Sequence, residues 1–363
     1  MFWRVAVPAV FGPLLVAAAA RRQLSSEESE QMPGSDHSFE TVGPCTPVRT
    51  FRDSLLVKSI TPAENGSCVL RLTMTAPAEG CGSFPGPHPV VVFLNGFQMR
   101  ASFYRAYAAR LASWGFTLIQ YDVPFLTTLP DTPELEWLNQ ILDWAAQQSQ
   151  TSGSDLHGLF DLEHVACVGH SRGGKLAALQ FAGNPRVKAA YLIDPVDNVA
   201  RVSPEGPLYP NAAKALTACG RRIGIAGASI LGSCNPAGSN WKELYAAVAD
   251  GSWLTVVQGA AHGTFLDAGF PLNFVFDRLC HRGSASRHDV LHRSLPGMLA
   301  WLDLHLRPSP ANLQAPAAEP TLVNSTEGQS SLQHQFQDWV GLEVERQLLD
   351  FRVKSSNPAH ASA

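Results

Sequence analysis

The chain has 363 residues, of which 45% are hydrophobic and 16% charged, enough apolar side chains for one large core or two small ones. The formal net charge is −4, no basic stripe points to a nucleic-acid binder, and no long charge block marks an interaction tail. No Walker loop and no G-x-G-x-x-G follows a strand, and the seven cysteines and 12 histidines have no zinc-type spacing.

The chain begins with Arg4 followed by the apolar run Val5 to Ala20, which ends in Ala18-Ala19-Ala20 before Arg21-Arg22. A run this short with small residues at its end reads as a removable presequence over 1–20, secretory or organellar, rather than a membrane span. Residues 21–50 are acidic and serine-rich at their start and are expected to be disordered or extended. From 51 to 307 strand-like and helix-like runs alternate, which predicts a doubly wound α/β domain. Ser54 to Ile60 and Cys68 to Thr75 are expected as an early antiparallel pair. Val90 to Leu94 is a continuous apolar run, as a parallel strand covered on both faces requires. A helix over Ser102 to Ser113 stops at Gly115, and Phe116 to Tyr121 is the next strand. Thr132 and Pro133 are suited to cap and start one helix reaching Gln147. Val165 to Val168, Val187 to Ile193, Arg222 to Ala226 and Trp253 to Val257 are the remaining strands. Asp289 to Leu306 is a closing helix that Pro296 is expected to kink or split. A Pro/Ala-rich linker occupies 308–330, and within the tail 331–363 the stretch Leu332 to Val353 is expected as one amphipathic helix.

The chemistry concentrates in Gly169-His170-Ser171-Arg172-Gly173, between the apolar run Val165 to Val168 and the helix-like run Lys175 to Ala182. Strand, G-x-S-x-G, helix is the nucleophile elbow of the α/β-hydrolase fold. A serine on so sharp a turn needs small neighbours, and the turn places the N–H of Arg172 at a helix N-terminus, where it can face an oxyanion. Serine acyl transfer also requires a base and an acid, which in this fold follow the serine in the order acid, histidine. Asp194 ends the strand after the elbow helix, with Asp197 as a rival. His262 follows the last strand. His170 is expected to be structural. The loop Asn95-Gly96-Phe97-Gln98 after Val90 to Leu94 is where the second oxyanion donor belongs, with Phe97 N–H the candidate. The Arg172 side chain is open between a solvated charge and a substrate contact. Phe125, Leu126 and Leu129 are candidates for an apolar substrate wall, their alternative being ordinary core. Cys167, in the strand before the elbow, is expected as a free thiol, and the other six cysteines allow three disulfides. Asn65-Gly66-Ser67 and Asn324-Ser325-Thr326 fit the N-glycosylation pattern.

Gly169-His170-Ser171-Arg172-Gly173-Gly174-Lys175 resembles the signature of the chlorophyllases. The resemblance continues through Ile193-Asp194-Pro195-Val196-Asp197, through Cys234-Asn235-Pro236-Ala237 with Asn240 and Leu244-Tyr245, and through Ala261-His262-Gly263 to Leu266-Asp267. It spans about Val90 to Arg307, including Leu291-His292-Arg293-Ser294. Two positions depart from it: Asn95 stands where the family has histidine, and Gly263-Thr264-Phe265 replaces a Met-Asp-Met pattern. The resemblance implies Ser171, Asp194 and His262 as a triad, no cofactor, and hydrolysis of the phytyl ester of chlorophyll, with pheophytin as a further candidate. It implies a small-molecule substrate whose magnesium is its own, no nucleic acid, and peripheral contact with a membrane to reach it. It favours an algal or plant chloroplast, with the secretory route as the alternative. A broad esterase or lipase, and a pigment-binding pseudohydrolase, remain the competing readings, because a fold and a nucleophile do not set the substrate.

Overall fold

The structure, a computed structural model, describes residues 38–58, 67–124, 129–199, 203–269, 271–307 and 331–356. The presequence, the linker 308–330, both sequon asparagines and the wall candidates Phe125 and Leu126 lie outside the described residues. Chain order is β1 (Arg49–Lys58), β2 (Ser67–Ala76), β3 (His88–Leu94), α1 (Arg105–Ser113), β4 (Thr117–Asp122), α2 (Asp131–Leu135), α3 (Trp137–Gln150), β5 (Phe160–His170) and α4 (Arg172–Gly183). It continues with β6 (Val187–Ile193), α5 (Ala212–Cys219), β7 (Gly224–Ile230), α6 (Trp241–Ala247), β8 (Trp253–Ala261), α7 (Leu272–Leu279), α8 (Arg287–Leu306), α9 (Ser331–Glu345) and β9 (Leu349–Val353). Among the described residues one nine-stranded sheet runs β1-β2-β4-β3-β5-β6-β7-β8-β9. β3 to β8 are parallel to one another, and β1, β2 and β9 add antiparallel edges.

Side chains of a strand alternate between faces, so a sheet covered twice needs two apolar sets per strand. Val90, Val92 and Leu94 join the core under α3, α4, α5 and α6, whereas Val91 and Phe93 join the core under α1, α8 and α9. β5 divides in the same way, Val165 and Cys167 to the first face, Ala166 and Val168 to the second. β3 and β5 are neighbours, yet α1 after β3 and α4 after β5 cover opposite faces. The connections leaving their carboxyl ends therefore diverge to opposite faces at a topological switch point, where an open α/β sheet has its crevice. The Asn95 to Gln98 loop and Ser171 both leave the sheet there.

Several expectations are corrected. The helix expected over Thr132 to Gln147 breaks at Glu136 into α2 and α3, and Thr132 does not cap it: its hydroxyl donates to the Pro207 carbonyl at 2.6 Å. The helix expected from Ser102 starts as a 3-10 turn, Ala101–Tyr104, before α1. α8 is not split at Pro296, whose flanking turns are buried against the sheet. The expected helix Leu332 to Val353 ends at Glu345, and Leu349–Val353 instead pairs with β8, Trp253 opposite Val353. The open edge of β8 offers a row of backbone groups, which outweighs local helical patterning. Residues 38–50 are anchored: Phe39 and Cys45 are buried, and Phe39 packs on Trp114.

Two disulfides form, Cys45–Cys81 and Cys234–Cys280, of the three that six cysteines allow. Cys68 on β2 and Cys219 at the end of α5 remain thiols, separated by the intervening strands of the sheet, and Cys167 is a buried thiol as expected.

His305, on the last turn of α8, stacks on Trp301 at 3.9 Å and donates from Nδ1 to the Trp301 carbonyl. Burial is the main cause that takes its pKa down to about 4. The unfolded chain therefore binds this proton more readily than the folded one, so stability is full above pH 6.5 and falls as pH drops toward 4. The loss from this group is at most about 3 kcal/mol. Urea midpoints measured from pH 7 to pH 4 are expected to fall less steeply in His305→Gln than in the wild type.

Candidate active site

Ser171 sits between β5 and α4 with φ 58° and ψ −125°, a conformation that side chains avoid and that surrounding contacts must enforce. Its N–H donates to the Ile193 carbonyl at 3.0 Å, continuing the β5–β6 ladder, and its carbonyl accepts the Val196 N–H at 3.1 Å. The two glycines of the motif are required by close approach. A Cβ on Gly173 would lie 2.0 Å from the Leu94 carbonyl oxygen, and one on Gly169 would lie 2.2 Å from the Gly173 carbonyl oxygen. Helix α4 thus starts in contact with the end of β3, and the Ser171 hydroxyl stands above the switch point.

His262 opens a 3-10 turn after β8 and reaches back over the sheet. Its Nε2 is 2.9 Å from Ser171 Oγ and its Nδ1 is 2.6 Å from Asp194 Oδ2. Since a carboxylate only accepts, Nδ1 carries the proton and Nε2 is left to accept from the serine. Asp194 is fully buried. Its Oδ1 accepts the Ala228 N–H at 2.9 Å and its Oδ2 accepts the Asn235 amide at 2.9 Å, so three donors hold the charge in place. Asn235 is itself held, its Oδ1 accepting the Gly232 N–H at 2.8 Å. The disulfide from Cys234 ties this loop to Cys280, at the end of the helix that follows the His262 turn. Asp197 is placed elsewhere: both its oxygens accept first-turn N–H groups of α5, from Ala212 and Ala213.

The Arg172 N–H begins α4, where first-turn N–H groups have no intrahelical acceptor. Its side chain is mostly buried and tied into an ion-pair cluster at the edge of the cleft rather than solvated. The guanidinium pairs with Asp131 at 2.8 Å and Glu134 at 2.6 Å and donates to the Leu129 and Pro130 carbonyls. Burial opposes its charge, but Glu134 and Asp131 outweigh burial and raise its pKa. Glu134 also accepts the Tyr121 hydroxyl at 2.6 Å. Lys175, 2% exposed, extends the cluster to Asp131 Oδ2 at 2.8 Å, held by charge without hydrogen-bond alignment, and donates to Asn198 at 2.7 Å.

The Asn95 amide donates to the Tyr121 carbonyl at 2.7 Å, which fixes the start of the neighbouring loop. Gly96 to Met99 form a turn closed by Met99 N–H to the Gly96 carbonyl at 2.9 Å, with Gln98 at φ 54°. The Gly96 N–H is spent on the Tyr104 hydroxyl at 3.1 Å, so it is not the loop's oxyanion donor, and Phe97 N–H stays the candidate. The Phe97 ring is 43% exposed rather than core. Phe97, Arg172, Leu129, Tyr121, Val123 and Glu134 share one cleft beside the elbow. Leu129, the wall candidate within the described residues, lies on the cleft while also packing against the core.

Sequence reasoning did not find Asp131, Glu134 or Tyr104, which carry no motif, and it reached Asn235 only through resemblance. The pair Asn235-Pro236 after a strand is a turn signal that marks the loop but not its bond to Asp194.

The profile of the chlorophyllase family matches residues 62–328. Chlorophyllase-1 of Arabidopsis thaliana is 24% identical, the match covering 72% of this chain and 85% of that protein. Chlorophyllase-2 of Arabidopsis thaliana is 28% identical over 50% of this chain and 62% of that protein. In fold, the chain is similar to a ferulic acid esterase from Streptomyces cinnamoneus, with a TM-score of 0.53, 20% identity, and coverage of 76% of this chain and 95% of that one. An α/β-hydrolase sheet and a family match over most of the chain lead to one conclusion: the chain belongs to the chlorophyllase family and is a carboxylic ester hydrolase.

Proposed function

We propose that this chain hydrolyses the phytyl ester of chlorophyll to chlorophyllide and phytol, through an acyl-enzyme on Ser171. The observation that carries the reading is the continuous hydrogen-bond chain Ser171–His262–Asp194 in a member of the chlorophyllase family. His262 Nε2 takes the Ser171 proton as Oγ attacks the carbonyl carbon of the propionate ester. The N–H groups of Arg172 and Phe97 receive the oxyanion, each contributing about 10²–10³-fold. The bond from carbon to the phytyl oxygen breaks, and His262 returns the proton to that oxygen. Water, deprotonated by His262, then attacks the acyl-serine, the bond from carbon to Ser171 Oγ breaks, and His262 returns the proton to Oγ as the acid leaves. Asp194 stays ionised and orients the imidazole.

The cleft of Phe97, Val123 and Leu129 supports a lipophilic ester. Among the described residues no helix is long and apolar enough to cross a membrane. The exposed rings of Phe97 and Phe274, on the loop after β3 and on α7, support peripheral contact with a lipid phase. Pigment supply and plant relatives favour the chloroplast. The two disulfides favour an oxidising route and sustain the secretory alternative.

Turnover of chlorophyll a by the purified chain, beside p-nitrophenyl butyrate, tests the substrate. Chlorophyllide formation supports the proposal. Cleavage of the short ester without chlorophyllide would leave a broad esterase.

A further inference from the structure

The ester hydrolysis described above makes no use of His170, a fully buried imidazole inside the elbow. Its Nε2 is 3.2 Å from the His262 carbonyl oxygen, which can only accept, so Nε2 carries a proton. Burial first, and then the neighbouring His262, hold its pKa far below the usual histidine range, so the ring is neutral and Nδ1 has a lone pair. Nδ1 is 3.0 Å from the Tyr104 hydroxyl, which must therefore donate to it. Burial keeps that phenol protonated. The Tyr104 oxygen in turn accepts the Gly96 N–H at 3.1 Å. Every polarity along the chain is dictated: Gly96 N–H to Tyr104 Oη, Tyr104 O–H to His170 Nδ1, His170 Nε2–H to the His262 carbonyl. The chain is tight at its first joint, since a Cβ on Gly96 would lie 3.0 Å from Tyr104 Oη and 3.3 Å from His170 Nδ1.

The two ends matter. Gly96 N–H immediately precedes the candidate oxyanion donor Phe97, and the His262 carbonyl belongs to the base itself. These groups come from loops after β3 and β8, with β5, β6 and β7 between their strands. The His170 and His262 rings also face each other at 4.6 Å with a 31° tilt, which limits where the base can swing.

We propose that Tyr104 and His170 are positioning residues, a directional relay that sets the oxyanion loop and the base His262 at a fixed separation around Ser171. This rests on the reading of Ser171, His262 and Asp194 as the reacting groups. A relay that sets geometry acts in the transition state, where a misplacement of about 1 Å costs roughly 10²-fold. It leaves the substrate's ground-state contacts alone.

The test uses the full chain with p-nitrophenyl butyrate, comparing wild type, Tyr104→Phe, His170→Gln and the double variant, with Ser171→Ala alongside. Each single variant is expected to lower kcat by about 10–100-fold, with KM within about threefold of wild type. The double variant is expected to be no more than about threefold slower than the worse single, because both changes break one chain. If circular dichroism shows one single variant unfolded, the other decides by its own kcat and KM. A kcat within fivefold of wild type, a loss confined to KM, or additive losses in the double variant would overturn the relay. Retained turnover in Ser171→Ala would instead remove the reading beneath it, whereas an inactive Ser171→Ala beside an unaffected Tyr104→Phe removes the relay alone.

Discussion

Ser171→Ala is expected to lower kcat on any ester by about 10⁵–10⁶-fold while the protein folds normally. The hydroxyl is the atom 2.9 Å from His262 Nε2, and its loss would remove the proposed acyl-enzyme route entirely. His262→Ala is expected to cost about as much, and the double variant little more, because groups acting as one unit do not add. Asp194→Asn is expected to cost roughly 10⁴-fold in kcat with KM nearly unchanged, since an amide can donate to Nδ1 and so favour the wrong tautomer. Asp197→Asn gives the contrast. Its carboxylate receives the Ala212 and Ala213 N–H groups and touches no reacting group, so it is expected to lower stability by about 1 kcal/mol and leave kcat within threefold. Stopped-flow release of p-nitrophenol, with denaturation midpoints for the same five variants, checks the series. A slow Asp197→Asn beside a normal Asp194→Asn would exchange the two roles.

Asp131→Ala is expected to destabilise the protein by about 3–5 kcal/mol, the cost of breaking a buried ion pair. Asp131 is buried between two cations, Arg172 Nε at 2.8 Å and Lys175 Nζ at 2.8 Å. Arg172 keeps Glu134, but Lys175 is left with Asn198 and an Asp197 oxygen 3.5 Å away. A buried ammonium with one distant counter-charge is the expensive product. Arg172 also supplies a candidate oxyanion N–H, and its side chain is the strut joining α4 to α2. A smaller fall in kcat, about 10-fold, is expected to accompany the loss of stability. Urea unfolding at pH 7 measures the first and steady-state kinetics below the transition the second. The double change Asp131→Ala/Lys175→Met is expected to regain part of the stability, because removing both charges leaves neither unpaired.

The residues of the candidate site were legible in the sequence wherever chemistry and chain order coincide. Ser171 was readable because the elbow demands small residues at fixed offsets. Asp194 and His262 were readable because each follows a strand in the order this fold imposes. The parallel strands were readable as continuous apolar runs, since burial on both faces leaves no room for alternation. Where the local pattern was ambiguous, tertiary contacts decided. Leu349–Val353 carries a helical pattern with Leu332 onward, yet the unpaired edge of β8 drew it into the sheet. Thr132 has the chemistry of a cap, but the Pro207 carbonyl took its hydroxyl. The choice of Asp194 over Asp197 depended on which carboxylate lies 2.6 Å from His262, although each lies beside the same strand end. The ion pairs of Arg172 and the bonds from Tyr104 to His170 and from His170 to His262 join residues 38 to 92 positions apart, and no local spacing encodes such pairs. Short-range backbone preferences and periodic burial are written along the chain, whereas the pairing of buried polar groups is settled only when distant segments compete for the same donors and acceptors in a space without water.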